Sequence, residues 1–67
     1  MKWRKNENQW TTRESERLSW TIVQTDDGFA AFRCESGEPA VAAGIFPTLS
    51  IAKHETERRA EIRRSFL

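Results

Sequence analysis

A chain of 67 residues has room for one domain, and a net charge of +1 singles out no polyanionic partner. One cysteine excludes an intrachain disulfide, and with a single histidine beside it the chain falls short of the roughly three or four protein ligands of a structural zinc site. No apolar run is long enough to cross a membrane, and the basic start Met1-Lys2-Trp3-Arg4-Lys5 is not followed by the apolar stretch of an export signal. The expected compartment is the cytoplasm, where Cys34 stays a thiol.

Chains this short gain little from core burial over the entropy lost on folding, and commonly lean on a staple or a second subunit. Three tryptophans and four phenylalanines supply large buried areas, and a homodimer is the expected source of the remainder. Charge is spread unevenly: residues 1–16 carry four basic and three acidic groups, 17–47 two and four, and 48–67 five and three. The contrast stops short of a basic face.

Residues 1–17 read as a polar arm whose only large apolar groups are Trp3 and Trp10. Thr11-Thr12-Arg13-Glu14 matches a capping box, so one helical turn after Thr11 is compatible with it. Such an arm is either mobile or docked through its indoles; disordered segments are poor in aromatic residues, which favours docking.

From Leu18 the period becomes two: Leu18, Trp20 and Ile22 alternate with Ser19, Thr21 and Val23 as in a half-buried strand. Asp26-Asp27-Gly28 turns the chain, and Phe29 to Glu35 returns. A two-residue loop pairs Ile22 with Arg33 and places a charge on the apolar face. A three-residue loop with Gly28 left-handed pairs Ile22 with Phe32 and Trp20 with Cys34, and that register is expected because it gathers the large apolar groups. Ser36-Gly37-Glu38-Pro39 makes the next turn, Ala40 to Phe46 a third strand, and Gly44 marks a bulge or a close approach of the helix. Thr48 caps a helix from Leu49 toward Phe66. Its core stripe is Leu49, Ala52, Thr56, Ala60, Arg63 and Leu67, while Ile51 and Ile62 share a second face. Glu55 with Arg59 and Glu61 with Arg64 are spaced to pair along it. The expected fold class is α+β, a three-stranded antiparallel β-meander followed by one C-terminal helix, filling residues 18–67.

The stretch Asp27-Gly28-Phe29-Ala30-Ala31-Phe32, then Ala43-Gly44-Ile45-Phe46-Pro47-Thr48 leading to Ala52, resembles small meander-plus-helix domains such as plant AP2 domains and integrase arm-binding domains. The resemblance implies that the sheet face away from the helix reads DNA. In this sequence the corresponding face is Ser19, Thr21, Val23, Ala31 and Arg33, with Arg17 at one end, and it is nearly neutral.

No catalytic constellation emerges, and no cofactor or metal is expected. Cys34 reads as a buried thiol facing Trp20, His54 as a solvated helix residue, and Asp26-Asp27 as turn chemistry. The chain therefore reads as a non-enzymatic protein-interaction module, a homodimer, with Trp3, Trp10, Ile51 and Ile62 as its contact groups. The alternative is a nucleic-acid-binding accessory protein using Arg4 and Lys5 of the arm with Arg58, Arg59, Arg63 and Arg64 of the helix. About the helix axis those arginines scatter, with glutamates interleaved.

Overall fold

Five strands, not three, precede the helix: β1 (Arg4–Asn6), β2 (Gln9–Arg13), β3 (Leu18–Thr25), β4 (Gly28–Glu35), β5 (Val41–Phe46) and α1 (Leu49–Ser65). The structure is a computed structural model that describes residues 2–65, the side chains of 63–65 excepted. The strands form one antiparallel sheet in chain order, β1 to β5. The class is α+β, with two strands more than the sequence pattern suggested.

Both extra strands come from the segment expected to be an arm. Gln9 to Arg13 alternates exposed and buried, with Trp10 and Thr12 inward. The polar residues between the indoles belong to a hairpin whose register sets Lys5 opposite Trp10 and Asn6 opposite Gln9. Thr11 to Arg13 lie in β2, so the capping-box turn does not form, and Glu14 accepts a hydrogen bond from the Trp20 indole at 3.4 Å instead. The Thr12 hydroxyl donates to the Lys2 carbonyl. Gln24 N–H donates to the Asn8 carbonyl at 2.9 Å, tying the hairpin tip to β3.

At that tip Glu7 takes φ 56°, the one described non-glycine residue with positive φ. A side chain there crowds its own carbonyl, so Glu7→Gly is expected to stabilise the fold by about 1 kcal/mol. A rise in the urea midpoint at unchanged slope would show it; an unchanged or lower midpoint would contradict the turn geometry.

The β3–β4 register corrects the expectation of a three-residue loop. Thr25 pairs with Gly28 across the two-residue loop Asp26-Asp27, so Ile22 faces Ala31 and Trp20 faces Arg33. Gly28 does adopt a positive φ of 138°. The reason for the register lies in the helix above it. The buried stripe of α1 is Ala52, Thr56 and Ala60, at 0, 1 and 0 % exposure. Small side chains bring the helix close to the sheet, and the sheet answers with Ala31 in one cross-strand row with Trp10, Ile22 and Gly44, the glycine lying against the Phe46 ring. Phe32 in place of Ala31 would hold the helix away.

Gly44 sits beside a bulge: Ala31 pairs with Gly44 but Phe32 with Ala42, leaving Ala43 as the extra residue. Trp10, Ile22, Ala31 and Ala52 form the core centre, with Trp3, Phe29, Ala43, Phe46 and Leu49 packed around it. Trp10 and Phe29 meet edge to face, centroids 5.7 Å apart.

Thr48 caps α1 as expected, its hydroxyl accepting from the Ile51 N–H at 3.1 Å. The Thr56 hydroxyl is satisfied within the helix, donating to the Ala52 carbonyl at 2.8 Å. The outer stripe positions expected at Arg63 and Leu67, and the helix end at Phe66, lie outside the described residues or side chains.

Candidate interaction site

The helix covers one face of the sheet and leaves the other open. Directly opposed residues of antiparallel strands point to the same side, so the register assigns the open face row by row. Arg4, Thr11, Thr21, Phe32 and Ala42 form one row; Asn6, Gln9, Val23, Ala30 and Ile45 form the next. Ala31 and Arg33, expected on this face, lie on the helix side; Ala30, Phe32 and Cys34 take their place. Cys34 pairs with Ser19, not Trp20, and is half-buried on the open face. His54 is exposed on the helix, on the other side of the sheet, so the two never meet. Among the described residues no three of His, Cys, Asp and Glu gather as a metal site.

The expected contact groups divide. Trp10 is 9 % exposed and belongs to the core, so it offers no surface to a partner; as the only large apolar group of β2, it is consumed by the domain itself. Trp3 is half-buried, donating from its indole to Glu57 at 3.0 Å with the Lys53 ammonium 5.9 Å from its ring. Ile51 and Ile62 remain exposed at 43 and 44 %.

The basic residues do not converge. Arg4 lies on the open face, whereas Lys5 lies on the helix side with its ammonium 5.7 Å from the Trp10 ring. Arg58 pairs with Glu55 at 3.5 Å, and Arg59 donates to the Ala43 carbonyl of β5 instead of meeting Glu55. The side chains of Arg63 and Arg64, and with them the expected Glu61–Arg64 pair, lie outside the described ones.

What residue-by-residue reading missed is the contrast between the two edges of the sheet. The β1 edge is three residues long and carries Arg4 and Lys5. Short, charged edges resist pairing with another chain. The β5 edge is Val-Ala-Ala-Gly-Ile-Phe, six residues without a charge, and exposes Val41 at 57 % and Ile45 at 61 %. A cleft of about 380 Å³ runs beside it, between β4, β5 and the helix, lined by Trp20, Arg33, Val41, Ala42, Ala43 and Arg59. The signal was available in the sequence, since the last strand of a meander is an edge and this one lacks any lysine or glutamate. No family model, curated protein or solved structure matches this chain.

Proposed function

We propose that the chain is a non-enzymatic protein-interaction module that works as a homodimer. The observation that carries this reading is the β5 edge: uncharged, six residues long, and bordered by Val41 and Ile45, with Ile51 and Ile62 exposed on the helix. Soluble proteins blunt such edges when they stay single, and leave them open when a chain is meant to join there. Sedimentation velocity over a wide concentration range is expected to show a reversible monomer–dimer equilibrium. Ile45→Lys, which sets a charge on the edge strand, is expected to weaken it by about tenfold or more. A monomer up to about millimolar concentration, where even a weak contact of about −4 kcal/mol is half-formed, would overturn the homodimer.

A second reading has one observation in its favour. Arg4 and Arg13 both lie on the open sheet face, and no strand residue on that face is acidic. With Phe32 in the Arg4 row, this offers a charged and aromatic surface to single-stranded nucleic acid. Binding of a mixed-sequence oligonucleotide that falls steeply with salt, and falls again in Arg4→Ala and Arg13→Ala, would favour it over the dimer.

A further inference from the structure

The exposed flank of α1 is chemically palindromic. Ile51, Glu55, Arg58 and Ile62 follow one another at spacings of four, three and four residues, which at about 100° per residue sets them along one line. All four reach solvent: the isoleucines are 43 and 44 % exposed, and the Glu55 and Arg58 side chains 29 and 62 %. Read in either direction the line begins and ends on isoleucine. Glu55 stands four residues inside Ile51, as Arg58 stands four residues inside Ile62. A twofold axis through its midpoint therefore lays apolar on apolar and acid on base, twice over.

The line also faces the right way. On one flank of the helix, Lys53 and Glu57 meet Trp3 beside β1. On the other, Arg59 reaches the Ala43 carbonyl in the middle of β5. The buried stripe of Ala52, Thr56 and Ala60 lies between. Ile51, Glu55, Arg58 and Ile62 continue outward from the Arg59 side, so they lie on the β5 side of the helix and turn toward solvent. An axis perpendicular to the sheet beside β5 keeps both helices on one face, runs them antiparallel, and brings the two uncharged edges toward each other. Antiparallel helices also oppose their macrodipoles favourably.

From this we propose that two copies associate isologously through this flank, Ile51 of each copy against Ile62 of the other and Glu55 of each against Arg58 of the other. The proposal deepens the homodimer reading above and rests on it. It identifies which surface is used and fixes the antiparallel register. Charge then acts as the register mark: a parallel or shifted pairing sets Glu55 on Glu55 or an isoleucine on a charge.

The test uses two single variants, Glu55→Arg and Arg58→Glu, alone and mixed, by sedimentation velocity and native mass spectrometry at low salt. Each alone sets like charges across the axis and is expected to weaken self-association by about tenfold or more. Mixed in equal amounts, they are expected to form a heterodimer nearly as tight as the wild-type dimer, because every cross-axis pair is again opposite in sign. Each chain still carries like charges within its own helix in the mixture, so rescue cannot come from repair of the internal Glu55–Arg58 pair. Circular dichroism checks that both variants fold, as expected for exposed positions. A wild-type dimer that neither variant weakens would overturn this interface while leaving the interaction-module reading standing. Variants that weaken and do not rescue each other would overturn the antiparallel register, and a wild-type chain that stays monomeric would overturn both.

Discussion

Ile22→Ala is expected to cost about 2–5 kcal/mol, Ile22 being the most deeply buried large aliphatic side chain among the described residues. Ile22 is wholly buried, lies on the central strand, and sits between Trp10 of β2 and Ala31 of β4 under Ala52. Its cross-strand neighbours are a rigid indole and a methyl group, neither of which can swing far into the space left behind, so much of the cavity stays open. A domain of this length has a total stability of about 3–10 kcal/mol at the usual values per residue. The alanine variant is therefore expected to be partly or wholly unfolded at 25 °C. Urea titration at fixed protein concentration measures the loss, the fixed concentration being needed because dimerisation adds to apparent stability. Ile22→Val, which keeps most of the volume, is expected to cost only about 0.5–1.5 kcal/mol. Equal costs for the two variants would place Ile22 outside the core.

Gly28→Ala carries the second large effect, for a different reason. The residue stands at φ 138°, which side-chain-bearing residues rarely adopt, and a Cβ there would lie 2.5 Å from the Phe46 carbonyl oxygen. That oxygen belongs to the backbone of β5 and cannot rotate aside, so either the turn or the β4–β5 pairing must open. Backbone strain of this kind costs about 1–3 kcal/mol before the clash is added. Gly37→Ala serves as the control: its φ of 83° is also left-handed, but an added Cβ meets nothing within 4 Å. The Gly28 variant is expected to lose clearly more stability than the Gly37 variant, and to lose amide-exchange protection along β5 first. Equal losses would show that conformational strain alone matters and that β5 does not press against Gly28.

Taken alone, the amino-acid sequence determined the class, the two long central strands, a turn between them at Asp26-Asp27, and a helix capped by Thr48 with Ala52, Thr56 and Ala60 inward. These are local properties: a period of two or of 3.6, a glycine at a positive φ, a hydroxyl three residues before an orphan N–H. It also showed Ile51 and Ile62 off the core stripe, since helical spacing fixes that without any partner. The tertiary structure decided three things that spacing could not. It made Trp3 and Trp10 part of the sheet side instead of an arm, because the β1–β2 hairpin is too polar to announce itself and is held by pairing with β3 and by contacts of its indoles with the core and the helix. It chose a β3–β4 register that sets a small residue, not a large one, beneath the helix, because Ala52 and Thr56 let α1 come close over Ala31. And it decided which side of the helix faces β5, through the contact of Arg59 with Ala43. Register and flank depend on how two surfaces fit at a distance, and a pattern along one strand or one helix carries no record of the other surface.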